Sequence, residues 1–160
     1  MRREPLTYPH PIFTEVAKPI EEIDDEVLAL ARDLLELLRA NRHVMGVAAH
    51  ALGEARRIIA VDVSDHPGAT TNHGPMIILN PEIGARDGEV DGEETCLGLP
   101  GRIYRASRAE RIFLKGINID GTEIAAETAS LEARAILHQM DHLDGRLPWG
   151  AMRISDLPRS

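Results

Sequence analysis

The most informative feature of this sequence is a pair of histidines, His138 and His142, that lie four residues apart near the C-terminus. Histidines at this spacing lie one turn apart on the same face of a helix, so both rings can reach one metal ion. Metal-dependent hydrolases with this spacing carry Glu after the first histidine, where the carboxylate takes a proton from metal-bound water. This chain has Gln139 at that position, and a neutral carboxamide cannot take that proton. The segment therefore predicts a metal site, but it lacks the carboxylate that would act as the base in hydrolysis.

A third protein ligand is expected, because catalytic metal sites usually combine three protein ligands with one open position. The chain has one cysteine, Cys96. A lone cysteine forms no disulfide within the chain, and the sequence shows neither a signal peptide nor an apolar run long enough to span a bilayer. We therefore expect a reducing, cytoplasmic location. Beside the histidine pair, we interpret Cys96 as the third ligand rather than as a small buried hydrophobic residue.

Three sequence blocks, in register with one another, resemble those of the peptide deformylase family. Residues 46–53 are Gly-Val-Ala-Ala-His-Ala-Leu-Gly, residues 94–98 are Glu-Thr-Cys-Leu-Gly, and residues 138–145 are His-Gln-Met-Asp-His-Leu-Asp-Gly. The family usually has Gly-hydrophobe-Ala-Ala-x-Gln, Glu-Gly-Cys-Leu-Ser and His-Glu-x-x-His-Leu-x-Gly at these places. Residues 8–13 and 75–82 also fit the family, so the resemblance covers nearly the whole chain.

The resemblance implies that Cys96, His138 and His142 bind one divalent metal ion. A thiolate with two imidazoles suits Fe²⁺, Zn²⁺ or Ni²⁺, and the sequence does not choose among them. It also implies that metal-bound water attacks the formyl carbonyl of an N-formylated peptide. In the family the Glu moves the proton, while the Gln side chain and the backbone N–H after the cysteine hold the oxyanion. That N–H belongs here to Leu97.

The two side chains that act on the reaction in the family are replaced in this chain. Gln139 stands in place of the Glu, and Ala51 stands in place of the Gln that holds the oxyanion. Gly98, Thr95 and Leu137 replace a Ser, a Gly and a polar residue. Proton transfer by a positioned side chain is worth roughly 10²–10⁴ in rate, and one oxyanion donor ~10²–10³. We therefore expect an amide hydrolase of deformylase type with weak or redirected activity.

Two alternatives stay open at this stage. One is a hydrolase of the same fold that acts on a different, acidic N-formyl or N-acyl small molecule; the other is an inactive metal-holding protein that binds a peptide end or a partner. Arg134 is relevant to the alternative of an acidic substrate, because deformylases usually carry apolar residues on the face of the metal-binding helix where Arg134 lies. The Arg134 guanidinium is predicted either to bind a substrate carboxylate or phosphate, or to reach water or Glu132 while the aliphatic part of the side chain packs on the helix face. The residues predicted to contact substrate are Val44, Gly46, Val47, Ala51, Gly98, Leu131, Arg134 and Ala135.

Polar residues next to the three blocks carry further expectations. His50 is predicted to be a surface or packing residue rather than a base that faces the metal. Glu93 and Glu94, which precede the cysteine, are predicted to be solvated or structurally hydrogen-bonded. Arg108 is predicted to pair with Asp141 and to orient the site, because Asp141 lies beside the second histidine and deformylases usually carry Arg at the position of Arg108.

Length and charge limit the class of protein. At 160 residues we expect a single domain, residues 1–160, that is long enough for a sizeable core. The formal net charge of −8 argues against broad binding of nucleic acid or of anionic membranes. The expected partner is therefore an N-formylated peptide or a small-molecule substrate.

The hydrophobic pattern predicts an α+β fold, with antiparallel sheets packed around the metal-binding helix. A first helix is predicted from residue 24 or 25 to about residue 41. Its predicted inner stripe is Val27, Leu28, Ala31, Leu34, Leu35 and Leu38. Strands are predicted at residues 58–63 and 76–79, with a loop at 64–74 between them and a polar turn at 86–92 after them.

A hairpin and the metal-binding helix are predicted in the second half of the chain. The hairpin joins residues 111–119 to residues 122–126 through Asp-Gly. Thr128 or Ser130 is predicted to cap the metal-binding helix, which ends near Leu143. Residues 147–160 lack the long amphipathic helix found at the C-terminus of many bacterial deformylases.

Overall fold

Two helices pack on opposite faces of an antiparallel sheet in the computed structural model, which describes residues 4–150 and 152–159. The elements in chain order are α1 (Asp25–Ala40), β1 (Gly46–Ala48), β2 (Ile58–Val61), β3 (Met76–Asp87), β4 (Val90–Cys96), β5 (Leu99–Arg108), β6 (Arg111–Ile117), β7 (Glu123–Ala129) and α2 (Ser130–Leu143). Short 3₁₀ turns occupy Pro11–Thr14, Ala49–Leu52 and Ile154–Asp156. The predicted α+β class is confirmed.

The five-stranded sheet has the order β1-β2-β3-β6-β7, and β4 and β5 form a separate two-stranded hairpin. Strand β2 shows how the sheet is buried on both faces. Its residues Ile58 and Ala60 pack with α1, whereas Ile59 and Val61 pack with α2, because successive side chains of a strand point to opposite faces. The hairpin has its own cluster of buried side chains, namely Cys96, Leu99, Tyr104, Trp149 and Leu157.

Helix α1 begins and ends as predicted, but its buried stripe differs. The Asp24 carboxylate accepts a hydrogen bond from the backbone N–H of Val27 at 3.0 Å, which caps the first turn. The buried residues are Val27, Leu30, Ala31, Leu34, Leu37 and Leu38. Leu28 is 42% exposed, so its predicted inward position is wrong, and Leu35 is only partly buried. The i, i+3, i+4, i+7 pattern selects Leu30 when it starts from Val27 and Leu37 when it is repeated from Leu34; both lie on the opposite side of the stripe from Leu28.

Several predicted strand boundaries are wrong, and the reasons are local. The second strand is much longer than predicted and the polar turn is only residues 88–89, because the outer half of β3 is exposed and therefore polar. β2 ends at Val61 rather than at residue 63. The later hairpin is present, with a wider turn at residues 118–122 and with β7 extending to Ala129.

Helix α2 carries the histidine pair and begins without a side-chain cap. Its N-cap residue is Ala129, so the predicted capping by Thr128 or Ser130 is wrong. Because β7 leads directly into the helix, the Thr128 side chain is fully buried, and the backbone N–H of Ser130 donates to the carbonyl of Glu110. The end at Leu143 is as predicted. No helix in the described part of the chain is long and apolar enough to cross a membrane.

Candidate metal centre

Three buried side chains from two elements converge where α2 meets the β4–β5 hairpin. His138 and His142 lie one turn apart on α2, and Cys96 is the last residue of β4. One ligand atom from each of them lies within 4.8 Å of the other two, and the Cys96 sulfur is 3.3 Å from Nε2 of His142. The structure thus brings together the three residues that the sequence predicted as ligands.

The protonation preferences of these residues fit a divalent metal ion. Burial by itself raises the pKa of Cys96, but His142 and His138 outweigh it and lower this pKa to about 5. The thiolate is the form that binds metals. Burial lowers the pKa of His138, yet Cys96 and Glu94 together raise it above the ordinary value, so a positive charge is favoured beside the thiolate. A thiolate with two imidazoles is a donor set for Zn²⁺ or Fe²⁺.

Glu94 connects one ligand to two buried arginines. Its carboxylate lies 2.9 Å from Nδ1 of His138, which leaves Nε2 of that ring for the metal. It also accepts hydrogen bonds from Tyr104, Arg108 and Arg134 at 2.8–3.1 Å. Burial would raise the pKa of Glu94, but Arg108 and His138 hold it well below its ordinary range. The prediction of a structurally hydrogen-bonded carboxylate is confirmed for Glu94.

Sequence analysis did not identify Glu94 as the partner of a ligand. The signal was present, because residues i and i+2 of a strand point to the same face. Glu94 therefore shares a face of β4 with Cys96, whereas Glu93 faces away and its side chain is 66% exposed. A carboxylate that accepts the free N–H of a ligating histidine sets the tautomer and the orientation of the ring.

The predicted contact between Arg108 and Asp141 is confirmed. Nη1 of Arg108 donates to the Asp141 carboxylate at 2.6 Å, while its Nε and Nη2 donate to Glu94. Because Glu94 in turn contacts His138, Arg108 links both carboxylates to the metal-binding helix. This guanidinium is 10% exposed.

We expect Arg108→Ala to raise the dissociation constant for the metal by roughly 10–100-fold, because the orientation of His138 is then less restricted. Competition with a chromogenic zinc chelator measures it. Arg105→Ala is the matched control, since Arg105 lies on the same strand and its side chain is 58% exposed. Equal metal affinity in wild type and Arg108→Ala would contradict the orienting role.

We expect Cys96→Ala to abolish tight metal binding. Protein purified without oxygen should contain about one divalent ion per chain, and the variant should lose it because two imidazoles alone form an incomplete site. Elemental analysis, combined with the thermal unfolding of both apoproteins, separates metal loss from misfolding. Full occupancy in the variant would remove Cys96 from the site.

Arg134 is turned into the protein rather than toward solvent. Its guanidinium donates to Glu94 at 2.8 Å and to the backbone carbonyls of Ala106 and Val90 at 2.9 and 2.7 Å. The predicted alternative contact with Glu132 is wrong: the Glu132 carboxylate accepts hydrogen bonds from Thr71 and from the backbone N–H of His73. Binding of a substrate anion by Arg134 would thus compete with a buried ion pair.

Two cavities meet at Gln139. The larger, about 280 Å³, is lined by His43, Met45, Gly46, His66, Glu93, Glu94, Thr95, Ile103, Leu131, Arg134, Ala135, His138 and Gln139. The smaller, about 20 Å³, is lined by Phe13, Gly46, Val47, Ala48, His50, Ala51, Thr95, Cys96, Leu97, Gly98, His138, Gln139 and His142. None of the described residues that line the smaller cavity is an aspartate or a glutamate. Among the described residues, the smaller cavity therefore offers no carboxylate as a base, whereas Glu93 and Glu94 line the larger one.

Most residues predicted to contact substrate border these cavities. Val44 borders neither and is buried in the hydrophobic cluster around α1. Its neighbour Met45 lines the larger cavity instead, because neighbouring residues of extended chain point to opposite sides.

Two glycines make room for side chains at the metal site. A Cβ on Gly46 would lie 3.1 Å from Nε2 of Gln139, so the glycine lets the carboxamide approach β1 closely. A Cβ on Gly98 would lie 3.0 Å from the ring of Phe13, which is 2% exposed. Phe13 thus occupies the space that a serine side chain would need, which explains the departure at Gly98. Sequence analysis did not detect this contact.

His50 is a packing residue, as one of the two predicted options stated. It is fully buried, so the surface option is wrong. Its Nε2 donates to the carbonyl of Glu15 at 2.7 Å, and the residue borders the smaller cavity.

The fold and the site together define an α+β protein with a buried cluster of one Cys and two His that could hold a divalent metal ion. The sequence matches the family described as polypeptide deformylase over residues 3–156. It is 37% identical over 142 residues to the peptide deformylase of Alkalilimnicola ehrlichii, covering 89% of this chain and 77% of that protein. It is 40% identical over 147 residues to that of Dictyoglomus thermophilum, covering 92% and 90%. The chain belongs to the polypeptide deformylase family.

Solved structures of the same family resemble this one over nearly its whole length. The peptide deformylase of Legionella pneumophila superposes with a TM-score of 0.84 at 28% identity, covering 92% of this chain and 84% of the other. The peptide deformylase of Ehrlichia chaffeensis in complex with actinonin gives 0.85 at 28% identity, covering 92% and 86%.

Proposed function

We propose that this protein is a metal-dependent amide hydrolase of deformylase type that removes an N-formyl group, with weak or redirected activity on formyl-methionyl peptides. The observation that carries the proposal is the position of Gln139. It follows ligand His138 on α2 and borders both cavities, and the described lining of the smaller cavity contains no carboxylate. Its relatives named peptide deformylase support the type of reaction.

The residues at the site supply some of the groups that amide hydrolysis needs and lack others. A bound divalent metal supplies a Lewis acid and lowers the pKa of its water. The backbone N–H of Leu97, next to Cys96, is the oxyanion donor that does not depend on side-chain identity. Gln139 can hydrogen-bond to a water molecule but cannot keep its proton, and Ala51 offers no donor. The residues for metal binding are therefore retained, whereas the side chain for proton transfer and one of the family's two oxyanion donors are absent.

A second candidate function differs in the substrate. The larger cavity is lined by polar residues that include His43, His66 and Thr95, by the acidic residues Glu93 and Glu94, and by apolar residues such as Leu131. These polar groups suit an N-formyl or N-acyl compound with a polar or acidic side chain better than they suit methionine. On this alternative the same metal site acts on a different linear amide.

The test compares substrates on Ni²⁺-loaded protein prepared without oxygen. We would measure kcat/KM for formyl-Met, formyl-Glu and formyl-Asp dipeptides and for their N-acetyl counterparts, with metal-free Cys96→Ala as the background. The proposal expects slow release of formate above this background. Preference for formyl-Glu or formyl-Asp supports the second candidate. No turnover of any compound by fully metal-loaded protein contradicts both, and leaves the non-catalytic alternative.

A further inference from the structure

Two histidines beside the small cavity each have a buried ring nitrogen without a hydrogen-bond partner. Within residues 4–150 and 152–159, the unpaired buried side-chain atoms are Nδ1 of His50, Nδ1 of His142 and the Thr128 hydroxyl. A buried polar atom without a partner is uncommon and destabilises the folded protein. His50 and His142 both line the cavity that contains the metal ligands. The two unpaired nitrogens therefore belong to residues that surround the same metal site.

The backbone determines which nitrogen of His50 carries the proton. Its Nε2 lies 2.7 Å from the carbonyl oxygen of Glu15, and a carbonyl only accepts. Nε2 therefore carries the hydrogen, and Nδ1 of the neutral ring presents a lone pair. The ring is fully buried and its Nδ1 has no partner, which disfavours a second proton there. The unpaired atom of His50 is an acceptor.

The opposite assignment holds for His142. Its Nε2 is the nitrogen that faces the Cys96 sulfur, at 3.3 Å, and is therefore on the ligand side of the ring. A neutral imidazole that binds a metal through Nε2 keeps its proton on Nδ1. The unpaired atom of His142 is thus a donor, which complements the lone pair of His50.

We propose that His50 is a positioning residue of the metal site, whose Nδ1 accepts the Nδ1–H of His142 across one bound water. This contact would fix the tautomer and the ring plane of His142, as Glu94 does for His138. Each ligating histidine would then have its own acceptor, and the Glu15 carbonyl would keep His50 in the accepting tautomer. The proposal concerns metal binding, so it goes beyond the proposed function and can be tested whatever the substrate.

Two substitutions separate this role from simple packing. The amide group of Gln occupies the position of Nε2 of a histidine, so His50→Gln keeps a donor for the Glu15 carbonyl and loses the acceptor for His142. The shorter Asn places an oxygen near the position of Nδ1, so His50→Asn keeps the acceptor and loses the contact with Glu15. We expect the Zn²⁺ dissociation constant to rise roughly 10–100-fold in His50→Gln and clearly less in His50→Asn. Chelator competition measures it, and the thermal unfolding of each apoprotein reports the packing defect.

A spectroscopic measurement on the wild type covers the case in which neither variant folds. In the Zn²⁺-loaded protein, ¹⁵N NMR of the imidazoles should show the proton of His50 on Nε2, the proton of His142 on Nδ1, and His50 Nδ1 shifted as a hydrogen-bond acceptor. A proton on Nδ1 of His50 overturns the proposal. Unchanged Zn²⁺ affinity in His50→Gln, an equal loss in both variants, or a loss confined to His50→Asn overturns it as well.

Discussion

Gln139→Glu should raise the rate of deformylation of formyl-methionyl peptides by up to ~10²–10⁴-fold, which is the usual value of a positioned acid–base group. A carboxylate at this position can accept a proton and pass it to the leaving amine, whereas the carboxamide can only hydrogen-bond. The new side chain has the shape of the old one and fits the same space against Gly46, so the change should leave the fold intact. The measurement is kcat/KM of both proteins with the same metal loaded.

Gln139→Met is the matched control, because it fills the same space and supplies no base. The gain should increase further in the double variant Gln139→Glu, Ala51→Gln, since Ala51 borders the smaller cavity and a Gln there can donate to the oxyanion. Ordinary deformylase rates in the wild type would contradict the argument, because another base would then be in place. If the double variant binds metal yet stays inert, the substrate pocket is redirected. His43 and His66 are then the next positions to change, because Arg134 is bonded to Glu94.

Glu94→Gln should destabilise the metal-free protein by about 3–5 kcal/mol at neutral pH, the usual effect of breaking a buried ion pair. Glu94 is the carboxylate that both Arg108 and Arg134 contact, and its side chain is 3% exposed, whereas these two arginines are 10% and 7% exposed. The carboxamide still accepts a hydrogen bond but carries no charge, so the two buried cations lose their main counterion. Urea unfolding of the apoproteins measures the difference.

The pH dependence of this difference is a second observable. The folded pKa of Glu94 lies below its ordinary value of about 4.3, so the unfolded chain binds its proton more readily than the folded protein does. Its stabilising contribution is therefore fully present above that ordinary value and is lost as the pH falls toward the folded pKa. We expect the gap between wild type and Glu94→Gln to shrink steadily as the pH is lowered below about 4.

The adjacent residue provides the control. Glu93→Gln removes the same charge from a side chain that is 66% exposed and lies 3.8 Å from Arg105, so its effect should be within about 1 kcal/mol. Equal unfolding free energies for Glu94→Gln and Glu93→Gln would contradict the central role of the Glu94 carboxylate. A gap that does not change with pH would contradict its ionised state in the folded protein.

The three metal ligands could be predicted from the sequence because two of them are set by a local rule. His138 and His142 are one helical turn apart in any helix that contains them, so their common face does not depend on the rest of the fold. The single cysteine and the three family blocks then left few choices for the third ligand. The hairpin of β6 and β7 and the first helix were predictable for the same reason, because turn residues and hydrophobic spacing act over short stretches, whereas the hairpin of β4 and β5 was not predicted.

The environment of the ligands was decided by residues far apart in the chain. Glu94 contacts His138 across 44 positions, and Arg134 reaches Glu94 across 40. Phe13 lies against Gly98 only because the N-terminal segment folds over the hairpin, as the hydrogen bond from the backbone N–H of Tyr8 to the carbonyl of Gly98 shows. A short-range pattern places Glu94 on the same face as Cys96, but it does not identify His138, Arg134 or Phe13 as the residues in contact.

Arg134 and His50 illustrate which features were predictable from the sequence and which required the tertiary structure. The sequence by itself placed Arg134 one turn before His138 on the metal-binding helix, and His50 in the first of the three blocks. Only the tertiary structure decided that Arg134 turns to Glu94 and to two carbonyls, and that His50 is fully buried against Glu15. The physical reason is that a buried polar group must find its hydrogen-bond partners, and those partners exist only after distant segments have packed together.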